Sequence, residues 1–66
     1  MKVHVDLKSD ALYLRLDDSQ TTESEEVAPG VILDINDAGQ VIGVEILNVK
    51  ERAPGANLQE MRFEVA

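Results

Sequence analysis

"APGVILDINDAGQVIGVEIL", residues 28–47, sets two apolar runs around a short polar insert, Asp34-Ile35-Asn36-Asp37-Ala38-Gly39. Aspartate, asparagine two residues on, glycine and then Glu45 come close to the spelling of a calcium loop. That template wants oxygen ligands at loop positions one, three and five, Gly at six and a bidentate Glu at twelve, between two helices. Position five here is Ala38, which has no side-chain oxygen, and both flanks are β-branched with period two. The insert therefore reads as the turn of an antiparallel hairpin.

A four-residue loop over Asn36–Gly39 sets Ile35 opposite Gln40, Leu33 opposite Ile42 and Val31 opposite Val44. One face then carries Val31, Leu33, Ile35, Ile42, Val44 and Ile46; the other carries Ile32, Asp34, Val41, Gly43, Glu45 and Leu47. A slip of one residue would place Glu45 among the apolar side chains, which a half-buried sheet penalises. Gly39, at the loop's end, suits a left-handed backbone. In this register Asp34 and Glu45 share a face but lie several pairs apart, too far to converge on one ion. The apolar Ile32, Val41 and Leu47 on the mixed face predict a strand covered on both sides or a subunit interface.

Upstream, Val3, Val5 and Leu7 alternate with His4 and Asp6, "KSD" (8–10) gives a turn, and Leu12, Leu14 and Leu16 alternate with Ala11, Tyr13 and Arg15. The pattern predicts a first hairpin. The run "DDSQTTESEE" (17–26) reads first as a solvated loop, and alternatively as an edge strand over Thr21–Val27 whose charges discourage aggregation. Downstream, "NVKER" (48–52) is suited to one helical turn. In the tail, Met61, Phe63 and Val65 alternate as in a strand, while Asn57 with Glu60 three residues on resembles a helix capping box. The strand reading is favoured and the helical one stays open. The expected fold is mainly β: one small domain over residues 1–66, an antiparallel meander of two hairpins plus a C-terminal strand, with one short helical turn.

The chain has 66 residues and no cysteine, so neither a disulfide nor a thiolate site staples it. Small unstapled domains commonly gain stability by oligomerising, which predicts a homo-oligomer, most simply a twofold dimer. Thirteen acidic against six basic residues give a net charge of −7, a poor match for nucleic acid and a good one for a small basic protein. No apolar stretch is long enough for a signal peptide or a membrane helix, and a cytoplasmic location is expected.

Few residues suggest chemistry. His4 is the single histidine, without a second His or a Cys to share a zinc ion. The serines occupy turns or the acidic run, and no glycine loop precedes a helix to cradle phosphate. No catalytic, metal or cofactor residue is assigned. Glu23, Glu25 and Glu26 read as a solvated face or as a docking surface for a basic partner. Tyr13 and Arg15 share a strand face and form a candidate recognition patch.

"DALYLRL" (10–16) together with "SEEVAPGVILDINDAGQVIGVEIL" (24–47) resembles the small prokaryotic proteins of domain-of-unknown-function family 2283. The resemblance implies a compact, mostly β domain and brings no established activity, substrate or catalytic residue. Very small acidic proteins of this kind suggest, by class analogy, an antitoxin-like partner of a small basic toxin. The signature positions are turn residues and alternating apolar residues, except for Asp10, Tyr13, Arg15, Asp34 and Glu45. With Glu23, Glu25 and Glu26, these form the candidate interaction surface. The expected function is a non-enzymatic protein-binding or oligomerising module. The alternatives are the antitoxin-like role and a small-molecule or metal-binding protein with its site at a subunit interface.

Overall fold

The computed structural model describes residues 1–66. Five strands, β1 (Lys2–Asp6), β2 (Ala11–Arg15), β3 (Thr21–Ala28), β4 (Val31–Asn36) and β5 (Val41–Ile46), precede one helical turn, α1 (Val49–Arg52). They form a single antiparallel sheet in the order β1-β2-β5-β4-β3. The two hairpins and the helical turn at 48–52 are as the sequence predicts. In the first hairpin β1 ends at Asp6, and Leu7 falls in the turn, where Asp6 Oδ1 accepts the Ser9 N–H at 3.0 Å.

Two expectations are corrected. Residues 17–26 are a loop only as far as Gln20: the alternative, an edge strand from Thr21, is what forms, as β3 over Thr21–Ala28. Its pairing with β4 is interrupted by irregularities between Thr21 and Glu23 and between Glu26 and Ala28, features that deter further strand addition at that edge. The C-terminal strand does not form, and neither does the helix. Residues 53–66 carry no regular element. The Asn57–Glu60 signal makes a turn instead, with Asn57 Oδ1 accepting the Gln59 N–H at 3.0 Å and the Asn57 carbonyl accepting the Glu60 N–H at 3.1 Å.

The central hairpin also departs from the expected register. The turn closes one residue tighter, with the Asn36 N–H donating to the Gln40 carbonyl and the Gly39 N–H to the Asn36 carbonyl, both at 3.0 Å. Gly39 has φ 78°, the left-handed residue that ends such a three-residue loop. A second one-residue shift follows, because Ile35 pairs with Val41 while Asp34 pairs with Gly43, leaving Ile42 as the extra residue of a bulge. Leu33 thus pairs with Val44 and Val31 with Ile46, not with Ile42 and Val44. The two shifts cancel in parity, so β4 and Gly43–Ile46 keep their expected faces, while Val41, paired with Ile35, moves from the mixed face to the aliphatic one.

Read across the sheet, Val3, Leu14, Val44, Leu33 and Glu25 form one row, and Val5, Leu12, Ile46, Val31 and Ala28 another on the same face. The opposite face carries Lys2, Arg15, Gly43, Asp34 and Ser24 in one row and His4, Tyr13, Glu45, Ile32 and Glu26 in the next. Only four residues are buried, with Ile42 at 2% and Val49 at 8% exposure as the apolar ones. One sheet face is therefore polar and the other aliphatic, and no second layer covers either.

Candidate functional site

The polar face is organised by Tyr13 and Arg15. Tyr13 leans from β2 across β5, where Gly43 leaves room for it: a Cβ on Gly43 would lie 2.6 Å from the Tyr13 hydroxyl. The hydroxyl reaches β4 and donates to Asp34 Oδ2 at 2.6 Å, and Ser24 of β3 donates to Asp34 Oδ1 at 2.8 Å. Four strands are thereby linked through three side chains and one glycine. The hydrogen bond to Asp34 raises the Tyr13 pKa above the ordinary phenol value; partial burial adds to this and the bond from Arg15 opposes it.

Arg15 donates from Nη1 to the Tyr13 hydroxyl at 3.2 Å and to Thr21 Oγ1 at 3.3 Å. Its Nε donates to the Asp17 carbonyl at 2.9 Å, and its Nη2 to the Ser19 carbonyl. These bonds hold residues 16–20, which cross the ends of β5 and β4 to carry the chain from β2 to the far edge. Asp17 is anchored there by the Ser19 hydroxyl and N–H, which lower its pKa. Arg15 thus uses its donors within the fold, as a brace for the crossover.

Asp10 is likewise structural. At φ 54° it turns its carbonyl to the Val49 N–H at 3.2 Å and its carboxylate to the Lys50 N–H at 3.0 Å. Asn48, in the N-cap position of α1, makes no side-chain cap, so Asp10, 40 positions before Lys50, supplies it. At the other side of this end of the sheet Arg52 donates from Nε to the Leu47 carbonyl at 2.8 Å and from Nη2 to the Pro29 carbonyl. Sequence reading did not single out Arg52, whose partners lie just after β5 and in the turn between β3 and β4.

Asn36, buried at 9% exposure, explains the calcium-like spelling. Its Oδ1 accepts the Gln40 N–H at 2.9 Å and the Ala38 N–H at 3.1 Å, while Nδ2 donates to Ser19 Oγ and Gln40 Oε1 at 3.1 Å each. Asp34 is held by Tyr13 and Ser24. The oxygens at template positions one and three therefore build the hairpin and the network. Asp34 and Glu45 stand closer than expected, since Asp34 pairs with Gly43 and Glu45 lies two residues on, opposite Ile32 and Tyr13. No group of three or more His, Cys, Asp or Glu side chains is placed to share an ion.

The candidate surface thus divides. Tyr13, Arg15 and Asp34 come together with Glu45 beside them, and Asp10 lies apart at the end of the sheet. The acidic run is split by strand alternation: Glu23 and Glu25 pair with Ile35 and Leu33 on the aliphatic side, whereas Glu26 pairs with Ile32 on the polar side. A shallow pocket of about 350 Å³ next to Glu45 is lined by His4, Asp6, Ser9, Tyr13 and Leu47 among others. The Ser9 backbone and hydroxyl lower the Asp6 pKa there.

Fold and site together define a single-layer antiparallel β protein, braced on one face by a polar network and bare on the other. The chain belongs to the family described as "Protein of unknown function (DUF2283)", whose family model matches residues 2–50, from β1 into α1. No curated protein and no solved structure matches it. No helix is long and apolar enough to cross a membrane.

Proposed function

We propose that the chain is a non-enzymatic association module whose working surface is the aliphatic face of its sheet. The observation that carries this reading is the pair of rows Val3–Leu14–Val44–Leu33 and Val5–Leu12–Ile46–Val31, over which the fold places no second sheet or long helix. Stable domains bury such a face against a second layer. Full burial of an aliphatic side chain is worth about 1.5–3 kcal/mol; seven of the eight are already partly buried and only Val3 is exposed, so the rows forgo on the order of 5 kcal/mol. That is comparable with the whole stability of an ordinary domain, about 5–15 kcal/mol. A partner layer of matching apolarity recovers it.

The polar face supports the same reading from the other side. Tyr13, Arg15, Ser24 and Asp34 spend their hydrogen bonds on one another and on the crossover, the arrangement of a scaffold. A fluorescent apolar dye tests the surface directly. Dilute, folded chain is expected to bind the dye, and Leu14→Asp is expected to abolish that binding. Equally weak binding by both, with the sheet intact by circular dichroism, removes the association surface.

A further inference from the structure

We infer that the occupant of the aliphatic face is a second copy of this chain, packed face to face with the twofold axis running along the strands. This rests on the association reading above and names its partner. Two sheets packed through apolar faces stand about 10 Å apart, with strand directions within about 30° of each other.

With the strands kept near-aligned, two twofold axes bring these faces together, one parallel and one perpendicular to the strands. The perpendicular axis stacks β3 on its own copy and sets Glu23 and Glu25 of each chain against the same pair from the other. The parallel axis lays β3 over the partner's β1, so that these carboxylates meet the edge carrying Val3 and Val5 and not one another. Like charges at an interface are costly, and the parallel axis avoids them. It also centres the interface on β5, the third of the five strands, so that Val44 and Ile46 lie at the axis. Leu12 and Leu14 of β2 then cover Val31 and Leu33 of the partner's β4. Leucine meets valine and leucine in the three central strands, and Glu25 at the end of the first row lies opposite the partner's Val3.

Area decides whether the sheet suffices. Five strands about 4.8 Å apart and five residues long give a flat footprint of about 400 Å² per copy. Stable interfaces bury about 800 Å² per partner. Side-chain relief supplies part of the difference, and the tail supplies the rest. Its first residues, Ala56–Gln59, lie beside Leu7 and Lys50, and it then presents Met61, Phe63 and Val65 at 54%, 88% and 82% exposure. An aromatic side chain alone buries about 150–250 Å². Folded over the partner's sheet, the tail closes the open rim of the sandwich.

Light scattering on the full chain, dye binding at the same concentrations and spin-label distances on Glu25→Cys test the proposal together. A dimeric mass with suppressed dye binding is expected, with Glu25 backbones about 22 Å apart, four strand spacings across and one sheet separation through the sandwich. Met61→Ser/Phe63→Ser is expected to weaken the dimer at least tenfold while leaving the circular dichroism of the sheet unchanged; an unweakened dimer overturns the tail's part. A separation of about 10 Å, with β3 on β3, overturns the axis. A folded monomer that binds the dye overturns the second copy and leaves the association surface standing; a folded monomer that does not bind it overturns both.

Discussion

Replacing Gly43 with alanine strikes the polar network at its narrowest point. The added Cβ would lie 2.6 Å from the Tyr13 hydroxyl and 3.1 Å from the ring atoms Cε1 and Cζ, so the ring or the strand must move. Overpacking of this kind costs about 1–3 kcal/mol. A displaced ring also gives up the bond to Asp34, worth about 1–2 kcal/mol at a half-exposed charged acceptor. Set against this, glycine inside a strand is itself less stable than alanine by about 0.5–1 kcal/mol. Gly43 is not among the positive-φ glycines, so alanine fits its backbone. The net cost of Gly43→Ala is therefore about 2–3 kcal/mol. In a Tyr13→Ala background the obstruction is gone and the same substitution should be neutral or stabilising by about 0.5 kcal/mol. Urea denaturation of the four chains, at one fixed concentration because association shifts apparent stability, reads the cycle. An equal cost in both backgrounds would refute the idea that Tyr13 is what requires glycine at 43.

Asp10→Ala loses the distant cap of α1 and strains a left-handed backbone, a cost of about 1–2 kcal/mol, whereas Asp10→Asn should retain most of the stability; thermal melts of the two give the comparison. Asn36→Ala strands the Ala38 and Gln40 N–H groups and is expected to cost about 2–3 kcal/mol and to broaden the amide signals of residues 37–40. Tyr13 is the single tyrosine, so its ultraviolet titration is unambiguous, and the midpoint should lie above the ordinary value of about 10. Because the folded value is raised, the stability Tyr13 contributes is complete below the unfolded pKa and is lost as pH rises through the folded one. Tyr13→Phe should remove that alkaline loss, and a midpoint at or below 10 would show that the hydroxyl does not donate to Asp34.

Period-two alternation made four of the five strands legible, because Val, Leu and Ile at every second position admit few other structures. The faces of the central hairpin were also readable, although its pairs were not. A tighter turn and a bulge at Ile42 each moved the register by one, and alternation cannot detect two shifts that cancel. β3 was legible only as the second reading: Ser and Glu seldom signal a strand, although Thr21 and Thr22 favour one, and Ser24 pairs there with Asp34. The tail erred in the other direction, since Met61, Phe63 and Val65 alternate without any edge pairing with them. Within the candidate site, Tyr13, Arg15 and Asp34 stood out as polar residues in an aliphatic setting, but their joining depended on a glycine one strand away. The role of Asp10 was out of reach because the helix it caps begins 39 residues later. Arg52 gave no signal because its partners are backbone carbonyls, of Leu47 and of the distant Pro29, which carry no mark in side-chain pattern.

The central claim, that the aliphatic face is covered in solution, is tested most directly by methyl NMR with a soluble paramagnetic probe. At concentrations where the chain is associated, the methyl groups of Leu12, Leu14, Leu33 and Val44 should be shielded, while those of Val27 and Leu47, outside the two rows, relax strongly. Uniform, strong relaxation of all six residues in a folded sample at every concentration would contradict it.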